Sequence, residues 1–299
     1  MNCLVTGGAG FIGSNLVDKL IDLGHDVTVI DNESSDSHEN FYWNPKAHNY
    51  KYNINDYVMC SDVFKRHNPD VVFHMAAESR IQPCIDDPLK AIETNVVGTT
   101  TMLDLSKRYK IKRFVFSSTS AAYGLKNHSP LNEDMTSDCL NPYSVSKVSG
   151  EEICKMYSKM YNLQTIIFRY FNVYGERQPI KGQYAPVIGI FQRQKRNNQP
   201  LTILGDGEQR RDFIHVSDVV NANIMAATKD EIKSGNVYNV GTGIDYSVNQ
   251  LASIVGGEIS YLQSREGECR SSLSNISKIK NDLNWFPNTN LEKWLKENS

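Results

Sequence analysis

Two periods of apolar residues alternate along this chain. Cys3, Leu4 and Val5 form a short apolar run of strand length that meets Gly7. Phe11, Ile12, Leu16, Leu20 and Ile21 then recur at helical spacing. Val27 to Ile30 predicts a second strand ending in Asp31, with a polar loop over Asn32 to Asn40. A third strand is expected over Tyr50 to Ile54, then a helix from Tyr57 to His67 capped by Asp56. Asp70 to His74 reads as strand four, Asp87 to Tyr109 as one long helix, and Arg113 to Ser117 as strand five. A further helix opens at Asn141, with Pro142 suited to its first turn, and runs to Tyr161. Strands alternating with helices through short loops predict an α/β fold, a doubly wound parallel sheet with helices on both faces.

Composition narrows the class without changing that picture. The 299 residues suit one large core or two smaller units. A net charge of −2 and 22% charged residues give no basic face for nucleic acid. Lys195 and Arg196 read as a solvated helix end. No apolar run reaches membrane-spanning length. Strand character from residue 2 onward leaves no room for a signal peptide, so a cytoplasmic location is expected. The six cysteines show no C-x-x-C pair and read as reduced thiols, neither a metal site nor a disulfide framework.

Candidate chemistry begins where the first strand ends. Gly7, Gly10 and Gly13 form G-x-x-G-x-x-G, a variant of the dinucleotide fingerprint. The first glycine permits the tight turn, the second lets backbone approach a pyrophosphate, and the third lets helix pack on strand. The helix N-terminus would then meet the phosphates with N–H groups. Asp31 lies 18 residues after Gly13, where a carboxylate can accept hydrogen bonds from an adenosine ribose. No Arg or Lys occurs from Asp31 to Asn44, and Asp31 would repel a 2′-phosphate, so NAD is favoured over NADP. Strand five runs into a hydroxyl cluster, Ser117 to Thr119, at the sheet edge where ligands bind in open α/β folds. Tyr143 and Lys147 are four residues apart on one helical face. An ammonium beside a phenol is expected to lower its pKa, making Tyr143 a usable general base or acid.

Together these residues resemble an extended short-chain dehydrogenase/reductase. The motifs are Gly7 to Gly13, Asp31, His74-Met-Ala-Ala77, Asn95 in Thr-Asn-Val-Val-Gly-Thr, Thr119, and Tyr143 with Lys147. The nearest branch resembles the nucleotide-sugar 4-epimerases and dehydratases. The resemblance implies a Rossmann-type NAD-binding domain over 1–170, rejoined around 213–240, and a smaller C-terminal α/β domain over 171–299 that holds a nucleotide sugar. It implies cofactor contacts from Gly7, Gly10, Phe11, Ile12, Gly13, Asp31, Asn32, Asn53, Ile54, Met75, Ala76, Ala77, Asn95, Ser117, Tyr143, Lys147 and Tyr170. Asn53 stands where the family usually has Asp, and is expected still to hydrogen-bond the adenine.

Implied substrate contacts are Ser79, Arg80, Thr119, Asn172, Val187, Thr202, Arg211, Arg265, Glu268 and Ser272. Val187 lies in the segment from Tyr184 that resembles the start of a helix beside the nucleotide. Thr202 belongs to a short strand whose backbone resembles the family's uracil reader. Asn172, Arg211 and Arg265 resemble diphosphate contacts, for which guanidinium offers bidentate, permanently charged forks. Glu268 replaces the family's Asp on the ribose. The helices over 87–109 and 143–161 resemble a pair that forms a homodimer interface, and no metal is implied.

Position 121 separates the reactions open to such a scaffold. Dehydratases and decarboxylases of this family carry an acid there, whereas this chain has Ala121, whose methyl group cannot act as acid or base. Thr119, Tyr143, Lys147 and NAD remain, enough for reversible oxidation of one carbinol. The expected reaction is therefore C4 epimerisation of a UDP-sugar through a transient 4-keto intermediate. The resemblance places Ser272 at a position lining the sugar pocket, where a small residue is expected to admit an N-acetyl group without excluding UDP-glucose. Arg80 raises the alternative of a UDP-uronic acid, and a 2-epimerase or reductase is a further alternative. A non-catalytic NAD-binding regulator would be expected to lack Tyr143 or Lys147, and both are present.

Overall fold

Apolar runs too short for helices become parallel strands here because helices cover both faces of the sheet they form. The computed structural model describes residues 1–35, 41–180, 186–264 and 269–299. The first half contains β1 (Asn2–Thr6), α1 (Phe11–Asp22), β2 (Asp26–Asp31), β3 (His48–Lys51), α2 (Tyr57–His67) and β4 (Val71–His74). It continues with α3 (Ile81–Asp86), α4 (Pro88–Ile92), a π-helical turn (Glu93–Gly98), α5 (Thr99–Arg108), β5 (Arg113–Thr119) and α6 (Pro142–Tyr161). The second half contains β6 (Thr165–Tyr170), β7 (Asn172–Tyr174), α7 (Val187–Arg196), β8 (Leu201–Leu204), β9 (Arg210–His215) and α8 (Val216–Thr228). It ends with β10 (Asn236–Val240), β11 (Asp245–Ser247), α9 (Val248–Val255), β12 (Ile259–Leu262), β13 (Ser271–Ser272), α10 (Ser277–Leu283) and α11 (Leu291–Asn298).

Seven of these strands form one parallel sheet in the order β10-β6-β5-β4-β1-β2-β3. This is a Rossmann-like α/β architecture with the order reversing between β1 and β4. Leu16, Val17 and Leu20 of α1 join Val219, Val220 and Ala226 of α8 in the core on one face. Val63 and Phe64 of α2, Met102 and Leu103 of α5, and Cys154 and Tyr157 of α6 fill the other. A smaller core gathers Ile188 and Phe191 of α7, Ile203 of β8, Phe213 of β9 and Leu251 of α9. β9 lies at the centre of the second sheet, paired with β7, β11 and β13.

Local signals explain most boundaries. Asp56 caps α2 by accepting from the Met59 N–H at 3.1 Å. Asn141 and Ser144 form a reciprocal capping box at the start of α6. Two expectations need correction. The third strand spans His48–Lys51, not Tyr50 to Ile54, and Asn53 and Ile54 lie in the turn beyond it. It is an edge strand with His48, Asn49 and Lys51 exposed, so no buried face imposes an apolar period. The long helix expected over Asp87 to Tyr109 is divided by the π-helical turn at Glu93–Gly98. That inserted turn leaves Asn95 buried. All six cysteines are free thiols. Among the described residues, no helix is long and apolar enough to cross a membrane.

The contact that seats α1 on the sheet is unusually tight. A methyl group on Gly13 would lie 2.0 Å from the Gly7 carbonyl oxygen. Gly7 itself has φ +67°, and a methyl there would meet the Ala76 amide nitrogen at 2.6 Å. Gly13→Ala gains about 1 kcal/mol of helix propensity, but overpacking against backbone costs more. We expect a net loss of about 2 kcal/mol, measured by denaturant titration of the NAD-free protein. A variant as stable as the parent would contradict the packing argument.

Candidate active site

A cleft opens at the carboxyl ends of the central strands. Seventeen of the residues expected at the site line it: Gly7, Gly10, Phe11, Ile12, Gly13, Asp31, Asn32, Ile54, Met75, Ala76, Ala77, Ser79, Arg80, Ser117, Tyr143, Lys147 and Tyr170. The floor is glycine and alanine, so backbone can come close to a ligand. Gly10 is the N-cap of α1 and offers no side chain to its first N–H groups. That leaves them for an anion, supported by the helix dipole. Asp31 is buried, its Oδ2 accepting from the Ala9 N–H at 3.0 Å and Oδ1 from the Glu33 N–H at 2.8 Å. Burial raises its pKa, and those backbone donors oppose the rise. The glycine cradle and the carboxylate that ends β2 together fit NAD in their chemistry.

The reacting end is assembled by β5 and α6. Thr119 closes β5, its Oγ1 accepting from the Ala121 N–H at 3.1 Å. Desolvation raises the pKa of the half-buried Tyr143, while the Thr119 hydroxyl and the charge of Arg80 oppose the rise. Here the structure departs from the expected electrostatics. The cation that acts on the phenol is Arg80, at the start of α3, and not Lys147, four residues away on its own helix. Lys147 is instead shifted itself, from 10.5 down to about 8, because burial disfavours its charge. Its Nζ sits 4.5 Å from the centroid of the Phe116 ring. The Arg80 Nε is buried with no hydrogen-bond partner among the described residues. His74 bridges Thr6 Oγ1 at 2.7 Å and Thr99 Oγ1 at 2.9 Å, and burial holds it neutral with a pKa of about 3.

Three expected contacts make hydrogen bonds within the protein. Asn53 does not line the cleft, and its Oδ1 accepts from the Asn55 N–H at 2.9 Å. Asn95 lies behind the cleft wall. Its Oδ1 accepts from the Glu78 N–H at 2.8 Å, and its Nδ2 donates to the Glu78 carbonyl at 3.0 Å and to Ser146 Oγ at 2.9 Å. It therefore ties the loop after β4 to α6 instead of presenting an amide to a ligand. The Thr202 N–H donates to Gln194 Oε1 at 3.1 Å and its hydroxyl accepts from Gln194 Nε2 at 2.8 Å, so its N–H is not offered to a base.

Other expected substrate residues gather around β9. Ser272 stands in register with Arg211, and Asn172 with Phe213, two residues further along β9. The Asn172 Nδ2 donates to the Asp212 carbonyl at 2.8 Å. Val187 is the half-buried first residue of α7. Arg265, Glu268 and Tyr184 lie outside the described residues. The cleft also includes Ser34 and Ser35, from the polar loop expected over Asn32 to Asn40, and residues the sequence reading missed: Ile30, Phe41, Tyr52, Thr94, Ser118 and Pro179. Tyr52 adjoins Asn53, and Ser118 stood inside the hydroxyl cluster, so both were within sight. Pro179 reaches the cleft from the far half of the chain, and no local pattern announces it. Among the described residues, no cluster of His, Cys, Asp and Glu could hold a metal ion.

The sequence model of the NAD dependent epimerase/dehydratase family matches residues 3–241. The chain belongs to that family. It is 40% identical, over 99% of both chains, to a protein of Methanocaldococcus jannaschii named putative UDP-glucose 4-epimerase. A UDP-glucose 4-epimerase of Thermotoga maritima, solved with UDP-glucose, superimposes with a TM-score of 0.93 at 38% identity. That match covers 100% of this chain and 97% of the other. A UDP-N-acetylglucosamine 4-epimerase of Methanobrevibacter ruminantium, solved with UDP-N-acetylmuramic acid, gives 0.92 at 35% identity, over 99% and 96% of the two chains. The protein is thus an NAD-dependent enzyme of the epimerase type with a Rossmann-like fold.

The buried ammonium has a measurable consequence. Below about pH 8 both folded and unfolded chains carry the Lys147 proton, and the folded state bears the whole cost of burying it. Between about 8 and 10.5 only the unfolded chain keeps the proton, so stability rises with pH across that window. Lys147→Met should therefore stabilise the NAD-free protein at pH 7 by about 3 kcal/mol and flatten that rise. Urea titrations of both proteins across the window check this. An equal slope in the two would contradict it.

Proposed function

We propose that this enzyme inverts C4 of a UDP-hexose, with or without a 2-N-acetyl group, by oxidising that carbon and reducing it again from the other side. The observation that carries the proposal is the half-buried Tyr143 phenol lining the cleft, under the influence of the Thr119 hydroxyl and Arg80, where the strand end bears Ala121 in place of an acid. The carboxylate behind that strand, Glu151, is fully buried and committed to Ser118 and Arg169, at 2.7 Å from the latter. Among the groups lining the reacting end, a proton can be traded with a hydroxyl by Tyr143, directly or through Thr119.

The residues divide the work as follows. The turn Gly7 to Gly13 and the α1 N-terminus would receive the pyrophosphate of NAD, Asp31 its adenosine ribose, and Lys147 the ribose hydroxyls next to the nicotinamide. NAD bound there would supply a hydride acceptor that becomes the donor for the return step. The charge of Arg80 favours the Tyr143 phenolate. Tyr143 as phenolate takes the C4 hydroxyl proton as the carbinol is oxidised. Asn172, Arg211 and Arg265 would hold the diphosphate, remote from C4, so that the 4-keto sugar can turn without leaving. Tyr143 then returns the proton to the inverted alcohol. Ser272, small and half-buried next to Arg211, supports admission of both neutral and N-acetylated sugars.

The same reading assigns residues 1–170 and the return through α8 and β10 to the cofactor, and most of 171–299 to the nucleotide sugar. Leu89, Val97, Val145 and Met160 on α4–α6 are between 43% and 68% exposed. A second copy of the chain covering this face would bury them, and we propose a homodimer on that ground. Free thiols throughout support a reducing, cytoplasmic setting.

Incubation with UDP-hexoses, UDP-N-acetylhexosamines and UDP-uronic acids, read by proton NMR, should give C4 inversion of a neutral or N-acetylated sugar with no net change in nicotinamide absorbance. Turnover of uronic acids alone would transfer the specificity to Arg80, and inversion of none would refute the proposal. Tyr143→Phe should lower kcat by about 10²–10⁴-fold, and full activity in that variant would refute the proton path.

A further inference from the structure

Two loops that wall the cleft are fastened to the same face of α1. The first follows β2 and carries Phe41 into the cleft. Its Tyr42 N–H donates to the Ala9 carbonyl at 3.0 Å, and its Asn44 Nδ2 donates to Asp18 Oδ1 at 2.7 Å. The second follows β7 and carries Pro179 into the cleft. Its Glu176 carbonyl accepts from Asn15 Nδ2 at 2.9 Å.

Arg177 joins the two. Its Nε donates to Ser14 Oγ at 2.8 Å and its Nη2 to Asp18 Oδ2 at 2.8 Å. Its guanidinium carbon lies 4.5 Å from the centroid of the Tyr42 ring. Asp18 therefore receives one loop on each of its oxygens. Arg177 also has φ +63°, the left-handed region that a residue with a side chain adopts at a cost. Such a backbone persists where the surrounding contacts hold it, and here they are the fork and the stack. An isolated ion pair at partly exposed positions would be worth little. A planar fork divided between a buried hydroxyl and a shared carboxylate, and stacked on an aromatic ring, is a different object that lysine cannot reproduce.

We propose that Arg177 is a positioning residue for cofactor retention, clasping the segments 176–179 and 41–44 onto α1 and so setting how long NAD stays in the cleft. It does not act on the sugar. The chain rests the pyrophosphate on the first turn of α1, as proposed above, and Ser14, Asn15 and Asp18 stand just beyond that turn. Phe41 and Pro179 line the cleft beside the residues expected to hold the dinucleotide, and the segments that carry them are tethered to Asp18 through Asn44 and Arg177. The clasp joins residues far apart in sequence, so it forms only in the folded protein and weakens locally when one partner is removed.

The test uses the full-length protein loaded with NADH and chased with excess NAD, with nicotinamide fluorescence giving the dissociation rate. Arg177→Met should release NADH at least about tenfold faster (~1.4 kcal/mol), and Arg177→Lys should fall between the two. Activity of Arg177→Met should depend on added NAD, with kcat at saturating NAD within about twofold of the parent. Asp18→Asn should act in the same direction, and the double variant should add less than the sum of the two. Parent-like release from Arg177→Met, or fully additive effects with Asp18→Asn, would overturn the clasp. A loss that saturating NAD does not restore, matched by a drop in stability of the NAD-free protein, would overturn it too and reduce Arg177 to a structural role. If the parent holds no NADH at all, the placement of the dinucleotide fails instead, which the loading step reveals before any variant is compared.

Discussion

The approach of α1 to β1 is the constraint from which the rest of the site follows. With a methyl group at Gly13 only 2.0 Å from the Gly7 carbonyl, no side chain can stand between helix and sheet. The helix therefore begins directly at the cleft, with backbone N–H groups in place of side chains at its mouth. The same closeness puts Ala76, after β4, against the Gly7 turn, so three chain segments form one floor. Every charged group of the cleft is then set around a surface that has almost no side chains of its own.

Desolvation gives those groups their chemistry. The Tyr143 phenol is pushed up and the Lys147 ammonium is pulled down to about 8 by the same burial. The Arg80 guanidinium is lowered for the same reason, and among the described residues its buried Nε has no partner. Stability alone would not place three such groups around one cleft, since each favours unfolding in its charged form. Their cost is consistent with a site built to pass a proton and a hydride in a space kept from water. The neutral His74 beneath them serves packing, bridging β1 and α5 through two hydroxyls.

Much of the fold could be read from the residues, and the exceptions have physical causes. β1, β2, β4 and β5 are buried on both faces and so appear as apolar runs. β3 is an exposed edge strand and carries no such run, which is why its boundaries slipped. The π-helical turn is invisible in the pattern because one inserted residue leaves apolar spacing nearly intact, yet it decides where Asn95 points. Tyr143 and Lys147 were evident from spacing on one helix. Their electrostatics were not, because Arg80 comes from another element and burial outweighs proximity along a helix face. Arg177 was equally silent, since its partners Ser14 and Asp18 lie more than 150 residues away.

The central claim is that one carbon gives up a hydride and receives the same hydride back within a single cycle. A UDP-hexose carrying deuterium at C4, turned over in ordinary water, tests this most directly. Both epimers recovered at equilibrium should retain the deuterium at C4, with no protium entering that position from solvent. Loss of the label to water during inversion would mean that the C4 hydrogen departs as a proton, contradicting the redox account.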